Sequence, residues 1–128
     1  MRMPILLGTI AISCFWAGGA FCDESTERVV RIAQIVVEPK DLAAYQAAVK
    51  EEISDSVRLE PGVLAIYSVA EKDEPNKLFF FEIYANDAAY RSHISSPHFQ
   101  KYAAITRSMI ISKSLLETKP VQLSAKAQ

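Results

Sequence analysis

Two periods of apolar and polar residues run through this chain, and they divide it into strands and helices. Arg28 to Val37 (R-V-V-R-I-A-Q-I-V-V) is rich in β-branched residues and is interrupted only by Arg31 and Gln34, which predicts a first strand. Glu38-Pro39-Lys40-Asp41 turns the chain, with Asp41 placed to cap the helix after it. Leu42, Tyr45, Val49, Ile53 and Val57 then recur at three- and four-residue intervals, while Lys50, Glu51, Glu52 and Asp55 fall largely on other faces. That is the signature of an amphipathic helix lying on a sheet.

Glu60-Pro61-Gly62 predicts a tight turn, since proline fixes φ and glycine accepts positive φ. Val63 to Val69 reads as strand two, Glu71 to Asn76 as a charged hairpin loop, and Leu78 to Tyr84 as strand three. Asn86 or Asp87 starts a short helix reaching about Ile94, and Ser96-Pro97 starts another. Tyr102, Ile105, Thr106 and Met109 mark that helix's inner face, and Met109 to Leu116 returns as strand four. Thr118 to Gln128 is a polar tail.

The order strand, helix, strand, strand, helix, strand is the split βαβ pattern of an α+β, ferredoxin-like domain with helices on one face of an antiparallel sheet. Strands one and three carry few polar residues on either side, so the sheet's second face also needs a cover. A second copy packing sheet to sheet supplies it, and a homodimer is the expectation.

The first residues obey a different logic. Arg2 precedes an apolar run from Pro4 to Ala17, then come small residues Ala17-Gly18-Gly19-Ala20 and the acidic Asp23-Glu24, the layout of a secretory signal. Cleavage after Ala20 is the simplest reading, and cleavage after Cys22 is its rival. The expected division is residues 1–20 as signal, 21–27 as a lead, 28–118 as the folded domain and 119–128 as the tail, in an exported, periplasmic or secreted protein with no membrane contact after signal removal; a retained single anchor is the alternative. At most Cys22 of the two cysteines survives processing, so neither an internal disulfide nor a cysteine metal site is expected.

Removing the signal takes away one basic residue, Arg2, leaving 13 Lys and Arg against 15 Asp and Glu, a net charge of −2. This balance gives no basic face for nucleic acid and no polybasic patch for a membrane. A small molecule and a second copy of the chain are the partners that remain.

Chemistry concentrates between Phe81 and Phe99 (F-E-I-Y-A-N-D-A-A-Y-R-S-H-I-S-S-P-H-F), which holds both histidines of the chain. Imidazole is the side chain that ordinarily titrates near neutrality. His93, at the end of the first short helix, is the candidate general base. His98, behind Pro97, sits at a helix N-terminus, whose dipole disfavours imidazolium. The two are five residues apart with a proline between, which is not the i, i+4 spacing of helical metal sites. A set of both with Glu82 is conceivable, but no metal is expected. Glu82 and Tyr84 alternate with Leu78 and Phe80 on one strand face. Glu82 there either orients a histidine or substrate hydroxyl, or forms a salt bridge across the dimer to Arg31 or Lys77.

The Glu60-Pro61-Gly62 turn, the strand end Phe81-Glu82-Ile83-Tyr84 and His93-x-x-Ser96-Pro97-His98-Phe99 with Tyr102 together resemble the antibiotic biosynthesis monooxygenase domain, and within it the small quinol-monooxygenase-like proteins. The resemblance covers about Val29 to Val121. It implies a dimeric α+β barrel, a pocket between sheet and helices in each chain, and oxygenation of a quinol or polycyclic phenol by molecular oxygen with neither metal nor flavin. On that basis His93 and Glu82 are the catalytic candidates, and Tyr84, Tyr67, His98 and Gln34 the substrate contacts. The haem-degrading branch of the fold uses an asparagine on strand one and a pocket tryptophan; here strand one offers Gln34, and Trp16 lies in the signal. The sugar-phosphate isomerase branch is not matched by any evident basic cluster. Two other functions stay open: a binding module for a small aromatic or quinone, and an isomerase of a small carbonyl compound using His93 and Glu82.

Overall fold

A computed structural model describes residues 27–127; the expected signal at 1–20 lies outside the described residues. Four strands and three helices succeed one another as β1 (Val29–Val37), α1 (Leu42–Leu59), β2 (Val63–Ala70), β3 (Lys77–Tyr84), α2 (Asp87–Ile94), α3 (Pro97–Thr106) and β4 (Ile110–Thr118). The strands form one antiparallel sheet in the order β2-β3-β1-β4, the ferredoxin-like arrangement that the element order predicts. No helix among the described residues is long and apolar enough to cross a membrane.

The pleat sends Ala33, Ile35 and Val37 of β1 and Leu78 and Phe80 of β3 toward the helices, where they bury against Tyr45 and Val49 of α1. A second cluster joins Val63, Ile66 and Tyr84 at the other end of the sheet. The inner stripe of α1 departs from expectation in its last turn. Val57 is about half exposed, whereas Glu52 and Ser56 are buried. Positions 45, 49, 52 and 56 keep one phase of a straight helix, while the series through Val57 drifts off it.

The termini of the helices are also specific. Asp41 makes no side-chain cap and instead belongs to a single 3-10 turn, Pro39–Asp41, leading into α1. Asn86 caps α2 by accepting from the Ala89 amide at 2.8 Å. Ser96 caps α3, accepting from the Phe99 amide at 3.3 Å while donating to the His93 carbonyl at 2.7 Å. Gly62 has no positive φ, contrary to the turn reading. It is required for space instead, because α2 packs directly on it.

The far face of the sheet is uncovered in the single chain. Tyr67, Phe81, Ile32 and Leu116 stand side by side across all four strands. Tyr67 and Leu116 are 62% and 58% exposed, an apolar row of the kind a monomer seldom leaves in water.

Candidate active site

β3, α1, the turn after α1 and the α2–α3 break bring the chemistry together on the helix side of the sheet. His93 ends α2 and is 2% exposed. Its ring packs 5.0 Å from Phe99 and 5.2 Å from Tyr84, measured between centroids. Nδ1 of His93 lies 2.9 Å from Glu60 Oε2, and Nε2 of His98 lies 2.7 Å from the same oxygen. On the other side of the ring, Nε2 of His93 is 3.5 Å from Glu52 Oε1, which accepts from the Ser56 hydroxyl at 2.7 Å.

The two carboxylates beside His93 are unlike. Burial alone would raise Glu60, but the hydrogen bonds and charges of His93 and His98 outweigh it and hold the carboxyl below its usual range. Glu60 is therefore a carboxylate at neutral pH, and a carboxylate only accepts. Both imidazoles donate to it, which places a proton on Nδ1 of His93. Glu52 shifts the other way. Burial raises it, with the nearby charge of Glu82 adding and the Ser56 hydrogen bond and His93 opposing.

His93, Glu52 and Glu82 border a cavity walled by Phe80, Tyr90, Phe99 and Tyr102, with Lys113 and Leu115 of the edge strand β4 at its rim. Its enclosed part is about 60 Å³, room for a few water molecules. The cavity opens toward solvent beneath β4. Glu82 does not reach His93: its Oε2 accepts from the Tyr84 hydroxyl at 2.7 Å. Burial, then the charge and hydrogen bond of Glu82, push the Tyr84 phenol far up, so it is a neutral donor. Tyr102 of the lining shares a 2.7 Å hydrogen bond with Tyr45, and burial raises both.

Of the six residues singled out from sequence, His93 and Glu82 line this cavity, and Tyr84 and His98 stand behind them. Gln34 and Tyr67 are not in it. In the register Gln34 pairs with Phe79 and Tyr67 with Phe81, all on the far face, because side chains alternate along each strand. Within the chain Arg31 pairs with Glu117 and Lys77 with Glu71. Glu60 and Glu52 are the residues that sequence reading missed. The position of Glu52 seven residues after Tyr45, in phase with the buried stripe, was the available signal.

One group among the described residues has the composition of a metal site: ligand atoms of Glu60, His93 and His98 lie within 4.8 Å of one another. Glu60 Oε2 sits between the two ring nitrogens at hydrogen-bond distance, so an ion would enter only by displacing both bonds.

The sequence model of the antibiotic biosynthesis monooxygenase family matches residues 28–105. The chain belongs to this family. An antibiotic biosynthesis monooxygenase by name from Bacteriodes thetaiotaomicron superposes with a TM-score of 0.76 at 45% identity, over 80% of this chain and 97% of that one. A protein named as a monooxygenase from Lactobacillus acidophilus NCFM is 34% identical, with a TM-score of 0.69. The match covers 71% of this chain and 43% of that longer one. A family namesake from Nitrosomonas europaea shares the fold at 16% identity, with a TM-score of 0.72. No curated protein matches. Membership in a monooxygenase family implies a small-molecule substrate for this antibiotic biosynthesis monooxygenase homologue.

Proposed function

We propose that this family member is a cofactor-independent oxygenase of a quinol or polycyclic phenol, working as an exported homodimer with His93 as its base. One observation carries the reading: a buried imidazole, held by an ionised carboxylate at 2.9 Å, borders an aromatic-walled cavity. The tautomer set by Glu60 leaves Nε2 as the acceptor. A substrate hydroxyl there gives its proton to Nε2, and the electron-rich anion passes an electron to molecular oxygen. Recombination forms a C–O bond at a ring carbon that bears hydrogen, and Nε2 returns its proton to the peroxide. O–O cleavage with loss of the C–H proton then leaves one oxygen on the ring as a carbonyl, and the other departs as water with those two protons. Aromatic walls keep bulk water from the intermediate. The enclosed volume holds the reacting edge of such a ring, and the rest lies in the mouth under β4. Glu82 and Tyr84 supply a polar contact on the cavity's sheet side.

The apolar row Tyr67-Phe81-Ile32-Leu116 supports the homodimer, and the secretory pattern of residues 1–20 supports export. Oxygen uptake by residues 21–128 with a panel of naphthohydroquinones and phenols tests the activity. Uptake above the non-enzymatic rate should fall by about 10²-fold or more in His93→Ala. Background uptake with both proteins would sink the oxygenase reading. Turnover of a carbonyl compound without oxygen would favour an isomerase, for which an imidazole flanked by Glu52 and Glu60 is also suited.

A further inference from the structure

His93 stands between two spaces. On one side is the cavity beneath β4. On the other, past Glu60 and His98, is an open groove of about 680 Å³ whose lining includes Asp55, Glu60, Ser92, Ser95 and His98. The His93 side chain is 3% exposed, against 13% for both Glu60 and His98. The imidazole thus borders the cavity, its carboxylate partner borders the groove, and a 2.9 Å hydrogen bond joins them.

A substrate in the cavity covers Nε2 and separates that face of the ring from water. The hydrogen-bonded way from the ring to solvent then leads through Nδ1. We propose that Glu60 is a proton relay between His93 and the outer groove, positioned by the 2.7 Å hydrogen bond from His98. The inference rests on His93 being the base of the reaction.

The proton count closes. As the substrate O–H bond breaks, an N–H bond forms at Nε2. The Nδ1–H bond then breaks, its proton moves to Glu60 Oε2, and from there it passes to groove water. In reverse, a proton from the groove returns through Glu60 to Nδ1, and Nε2 gives its proton to the peroxide oxygen that leaves as water, whose second hydrogen comes from the ring C–H bond that breaks. No electron moves in these steps. Glu52 is a poorer outlet, because it stands 3.5 Å from Nε2, is bonded by Ser56 and faces the cavity that the substrate fills.

The exchange can be read without any substrate. Nitrogen-15 imidazole spectra of residues 21–128 report the tautomer of His93 and the exchange of its Nδ1 proton with water. The expected result is an Nδ1–H tautomer whose exchange slows on the order of tenfold or more in Glu60→Gln, since an amide accepts the same hydrogen bond but cannot carry the proton. Unchanged exchange with the tautomer retained would overturn the relay. Should Glu60→Gln not fold, His98→Asn provides the second test, because freeing Glu60 must also slow exchange; an unchanged rate there overturns the proposal equally. With a turned-over quinol, Glu60→Gln should lower kcat and leave KM unchanged, and a change confined to KM would count against a relay. If the wild-type protein turns over no quinol or phenol, the oxygenase reading fails, while the exchange rates still decide the relay.

Discussion

A Cβ placed on Gly62 would lie 2.5 Å from the Cβ of Ala89, so the turn after α1 and the first turn of α2 meet with no space for a methyl group. Ala89 and His93 are four residues apart on α2 and therefore share a face. A displacement of α2 forced at Gly62 would therefore also move the imidazole.

Gly62→Ala should accordingly destabilise the domain by about 1–3 kcal/mol, the usual cost of overpacking. It should also reduce turnover more than a stability loss of that size explains at a temperature where the variant is folded. Thermal melts beside steady-state rates test this. A variant with native stability and native rates would mean that α2 shifts without disturbing His93.

Glu52 and Glu60 should give opposite pH dependences of stability. Burial raises Glu52 above its ordinary 4.5, so its contribution is fully present below that value and is lost as pH rises through the folded value. Glu52→Gln should therefore compare progressively better with wild type as pH goes from acid to neutral. Denaturant unfolding across that range measures it, and a gap that moves the other way refutes the assignment.

Glu60 is the mirror case. His93 and His98 hold its carboxyl below 4.5 despite its burial, so its stabilising contribution is present above 4.5 and disappears as pH falls through the folded value. The stability deficit of Glu60→Gln should be largest at neutral pH and shrink on acidification. A deficit independent of pH would show that Glu60 acts through packing alone.

Phe81 lies near the middle of the uncovered row, paired with Tyr67 on one side and Ile32 on the other. At 37% exposure its side chain is not needed for the core of the single chain. Phe81→Asp should leave the fold intact and turn the proposed dimer into a monomer, because an unpaired carboxylate in the centre of an apolar interface is strongly unfavourable. Light scattering coupled to size exclusion checks it. A wild-type monomer at micromolar concentration, or a dimeric variant, would remove this face as the interface.

Much of the architecture was readable because strands and helices are local patterns. Val29–Val37 is a strand by its β-branched run, and the alternation Leu78, Phe80, Glu82, Tyr84 placed four residues on one face of β3 before any pairing was known. The partners of His93 were not local. Glu60 reads as the first residue of a turn because Pro61-Gly62 dominates its neighbourhood, yet its side chain meets an imidazole 33 residues away. Gln34 and Tyr67 show the converse error. Each is a polar-tipped residue in an apolar strand and invites a role, but the cavity's side of the sheet is decided by where the helices pack.

The chain breaks between α2 and α3, where Ser96 is extended with φ −67° and ψ 149° and Pro97 begins the next helix. In an unbroken helix, residues five apart point about 140° away from each other. His93 and His98 would then face opposite directions, one inward and one to solvent. Folding the axis at Ser96 turns that divergence into convergence on a single carboxylate oxygen. Straightening this corner would dismantle the cluster without altering one of its members.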